Sequence, residues 1–112
     1  MPLYLLNLPE PDHARGDDPD LAFAVSGPEN FAAALQEALR HDGLFERWKA
    51  KQPDPDAVPD ALGATDPSAS VTGKQQHLAI LLEARTALSG DVVRHRMRLL
   101  AGSGWTLNDV RR

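Results

Sequence analysis

A chain of 112 residues, 42% apolar and 25% charged, has the composition of one soluble globular domain with one core, able to bury roughly 65% of the surface its unfolded form exposes. The absence of cysteine excludes a disulfide framework, a thiol nucleophile and a thiolate metal site. No run approaches the ~18 apolar residues of a membrane span.

Met1 to Leu6 lacks the basic and small-residue features of a secretory signal, so a cytoplasmic location is expected. The net charge of −4 conceals an uneven distribution: −4 over residues 1–24, zero over 25–52, −4 over 53–72 and +4 over 73–112. The basic end is also the most apolar.

Leu3 to Leu8 is an apolar run bounded by Pro2 and Pro9, which predicts a strand whose prolines lie outside the ladder. Residues 9–20 hold three prolines and five acids and read as a solvated loop. His13 among Asp12, Asp17, Asp18 and Asp20 matches no calcium-loop spacing. Leu21, Phe23 and Val25 then alternate at period two, the pattern of a second short strand or of a short extended lead-in to the next element.

Ser26 followed three residues later by Glu29, with Pro28 between them, has the form of a capping box at a helix start. Phe31, Leu35, Ala38 and Leu39 continue at helical spacing, predicting a helix over about 28–41. Gly43 is placed to end it in the left-handed conformation. Leu44, Phe45 and Trp48 extend the helical pattern to about residue 51. Residues 53–72, with four prolines and four aspartates, cannot bury enough apolar area to form an element of their own. They are expected to be mobile or wrapped along the surface.

Residues 77–101 fit two templates. As helices, 78–88 would set Arg85 between Leu78 and Leu81, and 91–101 would project Arg96 from the middle of an apolar face. As strands over about 77–88 and 91–101, the apolar side chains fall on one face and Arg94, Arg96 and Arg98 alternate to the other. Period two fits better, with Ser89-Gly90 as the hairpin turn. Against it stand the helix propensity of the stretch and Asp91 as a possible cap. After a turn at Gly102-Ser103-Gly104, residues 105–108 complete an antiparallel β-meander. The expected fold is therefore a single α+β domain: short N-terminal strands, one main helix and a C-terminal meander packed on it.

A row of Arg94, Arg96 and Arg98 on one sheet face, with Arg85 across the hairpin, would form a candidate anion or nucleic-acid contact. The acidic pI near 5.4 and the lack of interleaved stacking aromatics argue against that role. No Gly-x-Ser-x-Gly elbow, His-Glu-x-x-His pair or phosphate-binding glycine loop is present. No catalytic residue, cofactor or metal site is assigned. His95, expected to point inward beside Met97, reads as a core residue. Trp48 and Trp105 are candidate interface anchors. The leading expectation is a non-enzymatic protein–protein interaction module, a homodimer whose partner surface is the meander. The alternative is a small β-barrel nucleic-acid binder, similar to Sm-like or OB-type folds only in size and strand content.

Overall fold

The Pro-bounded run at the N-terminus forms β1 (Leu3–Leu8) of a computed structural model that describes residues 1–112. Tyr4, Leu6 and Leu8 point into the core, while Leu3, Leu5 and Asn7 take the opposite face. Full burial of Leu6 and Leu8, both at 0% exposure, contributes about 1.5–3 kcal/mol per side chain.

Helix α1 (Pro28–Arg40) and helix α2 (Gly43–Ala50) follow closely the predicted range. Phe31, Ala32, Leu35, Ala38 and Leu39 form the buried stripe of α1. The predicted capping box does not form. Gly27 is the N-cap at φ 87°, a conformation open to glycine, and the Ser26 carbonyl accepts from the Asn30 side chain at 2.9 Å. Nor does Gly43 end the helix. His41 leaves α1 in an extended conformation, and Gly43 is the first residue of α2.

The expected strand over 21–25 is absent. Leu21 and Phe23 are buried, but the Phe23 N–H donates to the Leu100 carbonyl at 2.9 Å rather than to a strand ladder. The preceding acidic loop is pinned by Arg15, whose guanidinium donates to the Pro11, Ala14 and Val25 carbonyls and lies 5.3 Å from the Phe31 ring centre.

Residues 53–72 run along the surface through two 3-10 turns, Pro55–Ala57 and Asp60–Gly63, and then enter β2 (Ser70–Gln76). A tight turn at His77, with φ 58°, leads into β3 (Ala79–Arg85). The strand predicted over 77–88 therefore exists, but its hairpin partner is the segment before it.

Residues 91–101 are not a strand. They lie in helix α3 (Gly90–Ala101), whose N-cap is Ser89; its hydroxyl accepts from the Val92 N–H at 3.4 Å. Asp91 occupies the first turn, where its charge complements the helix dipole. Gly102, at φ 62°, ends the helix. Strand β4 (Thr106–Arg111) returns the chain to the sheet, starting and ending later than the predicted 105–108.

The sheet order is β2-β3-β1-β4, antiparallel throughout. The C-terminal strand thus pairs with the N-terminal one rather than with a meander neighbour. The domain is α+β, with α1 packed across β2 and β3 and α3 packed on α1. Gly73 of β2 permits that packing, because a Cβ there would collide with the Pro28 carbonyl at the start of α1. The helices and the long loops share one side of the sheet. Its other side is uncovered.

Candidate functional site

On α3, residues two apart are separated by about 200° around the axis, so Arg94, Arg96 and Arg98 cannot form a row. Arg94 and Arg98 are exposed, whereas Arg96 is fully buried. Arg96 does project from the middle of the apolar face, the feature that argued against a helix. The fold accepts it by supplying three carbonyl oxygens: Ala38 at 3.2 Å, Leu62, and Ala64 at 3.0 Å. Its guanidinium also lies 5.3 Å from the Phe45 ring centre. Burial lowers its pKa while nearby Asp42 opposes the shift; an arginine still remains charged at neutral pH. Arg96 is a staple that holds the 60–64 turn and α1 to α3.

Beside it, His95 is buried as predicted, with its ring edge-on to Trp48 at 4.4 Å between centroids and to Phe45 at 6.2 Å. Neither ring nitrogen has a hydrogen-bonding partner in the protein. Burial, then the charges of Arg96 and Arg98, depress its pKa from 6.5 to about 4. At neutral pH it is therefore an uncharged core aromatic.

Trp48 is half-buried against this ring, and Trp105 is half-buried at the end of α3, where its indole N–H donates to the Gly102 carbonyl at 2.9 Å. Both act as lids on the helical layer. His13 pairs with Glu10 at 2.7 Å, while Asp18 and Asp20 both bind Lys51, at 2.8 and 2.9 Å. The hydrogen bond from Lys51, then that from the Asp20 backbone, lowers the Asp18 pKa. These acids are used to fasten their loop to the end of α2.

A cleft of about 300 Å³ opens between residues 20–24 and the α1–α2 corner. Its floor is Phe23, Ala38, Leu44 and Leu100, and its rim carries unlike charges from Glu37 and Arg47. Such a mixture of charges specifies no ligand class.

The uncovered sheet face is more informative. Successive same-face residues lie about 7 Å apart along a strand, and strands lie about 4.8 Å apart, so cross-strand pairing defines rows. Arg85, Leu3 and Arg111 occupy one row across β3, β1 and β4; Glu83, Leu5 and Asp109 occupy the next. The following row places Lys74 of β2 beside Leu81, Asn7 and Thr106. Lys74 reaches diagonally to Glu83 at 2.8 Å, and Arg111 contacts Asp109 at 3.2 Å. Arg85, the one member of the predicted arginine set on this face, makes no ion pair.

Leu3, Leu5 and Leu81 are half-buried, their flanks covered by neighbouring strands and charged-residue stems. One signal for this surface was visible in the sequence: β1 is apolar at both parities, so Leu3 and Leu5 had to face away from Tyr4, Leu6 and Leu8. The charged rows needed the pairing of residues 83–85 with 3–5 and of 3–5 with 109–111. The sheet is open, with β2 and β4 as edges, so the small-barrel alternative and its arginine row both fall with the geometry.

Comparison with protein-family models, with curated proteins and with solved structures finds no match to this chain. No helix is long and apolar enough to cross a membrane.

Proposed function

We propose that the protein is a non-enzymatic homodimerisation module that binds a second copy of itself through the open face of the sheet. The observation that carries this reading is the uncovered four-stranded face with Leu3, Leu5 and Leu81 on its two central strands and charges beside them. An apolar centre within a polar rim is the usual anatomy of an interface. Charge favours a second copy as the occupant. Elsewhere two copies of a −4 chain repel, but this face carries three bases (Lys74, Arg85, Arg111) against two acids (Glu83, Asp109) and is nearly neutral.

Strands of six or seven residues at about 3.3 Å per residue and about 4.8 Å spacing give a flat footprint of roughly 400 Å² per copy. Complete overlap of the two faces would give roughly 800 Å² for the pair before side-chain relief is added, and partial overlap less, at or below the small end of stable interfaces. A micromolar, concentration-dependent dimer is the expected result.

Sedimentation equilibrium from about 5 μM to the high micromolar range tests it. A monomer–dimer equilibrium supports the reading, and a strict monomer at the highest concentration refutes it. Leu5→Asp adds an acid between Glu83 and Asp109 at the centre of the face and should abolish self-association with the circular dichroism spectrum unchanged. A dimer unaffected by Leu5→Asp would assign the contact to another surface.

A further inference from the structure

Two rows of opposite charge lie side by side on the open face. Arg85 and Arg111 flank Leu3, and Glu83 and Asp109 flank Leu5 in the same columns. We infer that this face is self-complementary in one register. A two-fold axis lying in the interface, at right angles to the strands and between the two rows, sets Arg85 against the second copy's Glu83, Leu3 against its Leu5 and Arg111 against its Asp109. The inference rests on the homodimer reading and deepens it by fixing how the two copies sit.

The register follows from comparing the axes available to two stacked sheets. An axis perpendicular to the strands and passing through a charged row lays like charge on like: Arg85 on Arg85, or Glu83 on Glu83. An axis along the strands between β3 and β1 lays Arg85 on Leu3 and Glu83 on Leu5, which strips water from two charges without supplying a partner. The axis between the two rows places each of their four charges against an opposite one and Leu3 against Leu5, while Lys74, one row further along, keeps its own-chain partner Glu83. Strands of the two copies then run antiparallel, within the roughly 30° offset at which twisted sheets pack. Long arginine side chains can bridge that offset.

The pairs already made inside one chain are compatible with this arrangement. Glu83 receives one contact from Lys74, and Asp109 one from Arg111 and one from the Val110 N–H, and a carboxylate has room for further donors. Arg85 has all of its donors free of acid partners. Each contact occurs twice by symmetry, so a change at one position is felt at two places in the dimer.

Charge reversal tests the register, using the full chain and sedimentation equilibrium with circular dichroism as the folding control. One chain carries Arg85→Glu with Arg111→Glu, so that the two rows are acidic; another carries Glu83→Arg with Asp109→Arg, so that both are basic. Each alone should self-associate at least about tenfold more weakly than the wild type, and a one-to-one mixture should form the heterodimer. A third chain, Arg85→Glu with Glu83→Arg, exchanges the two signs within one column and should recover association to near the wild-type level. The proposed register requires that recovery.

A wild-type monomer at all concentrations overturns both this inference and the homodimer reading. A dimer weakened by Leu5→Asp but indifferent to the charge reversals keeps the face and overturns the register. Weakening by the single-sign chains without recovery in the exchanged chain also overturns the register.

Discussion

Replacing His95 by phenylalanine should change the acid sensitivity of the fold. In the folded chain the His95 pKa is depressed from 6.5 to about 4, first by burial and then by the positive charges of Arg96 and Arg98. Between those two values the unfolded chain binds a proton that the folded chain refuses, so lowering the pH through this window favours unfolding. The slope approaches 1.4 kcal/mol per pH unit, and the full loss between pH 6.5 and 4 is about 3 kcal/mol, a large part of the 5–15 kcal/mol stability common for domains. Below about pH 4 both states are protonated and this group adds no further slope. His95→Phe retains an aromatic ring against Trp48 and Phe45 and removes the titration. Urea unfolding of both proteins at pH 7, 5.5 and 4.5 measures the effect. The stability difference between variant and wild type should shift in favour of the variant by about 1.4 kcal/mol per unit below pH 6.5. A difference that stays constant across this range, or an NMR titration placing the His95 imidazole near 6.5, would refute the buried neutral histidine.

Arg96→Met leaves the carbonyls of Ala38, Leu62 and Ala64 without their donor and should cost about 2–4 kcal/mol in chemical denaturation; limited proteolysis should then begin within residues 55–64. Asp66 accepts from the Thr86 hydroxyl and from the N–H groups of Ala87 and Ser68, so Asp66→Ala should lower stability by about 1–3 kcal/mol. Those bonds, with that of Ala87 the largest cause, lower the Asp66 pKa below 3.8. Its contribution is therefore complete above that value and lost below it, a more acidic window than that of His95, and the wild-type minus Asp66→Ala difference should shrink only there. Gly73→Ala forces a Cβ into the Pro28 carbonyl and should destabilise by about 1–3 kcal/mol. The same change at Gly43, whose nearest contact would be the Arg47 guanidinium at 3.9 Å, should be neutral or stabilise by up to about 1 kcal/mol in the same unfolding assay.

The sequence by itself determined the α+β class and its local pieces. Prolines at both ends delimited β1, helical spacing from Phe31 to Leu39 located α1, and period two located β3. Residues 91–101 also follow period two, yet they form a helix with Arg96 in the middle of its apolar face. A buried guanidinium needs acceptors, and none lies nearby in the chain. The acceptors are the carbonyls of residues 38, 62 and 64, more than 30 positions away, and only tertiary structure brings them together. With that helix in place, β3 pairs with the chain before it, and the C-terminal strand crosses to the far edge beside β1. The candidate surface is a product of that strand order. Leu3 and Leu5 are local features of one strand, but Arg85, Glu83, Arg111 and Asp109 become two rows of opposite sign because β1 lies hydrogen-bonded between β3 and β4. Side-chain parity along a strand is set by the backbone and can be read locally. Which strands become neighbours depends on contacts between residues far apart in the chain.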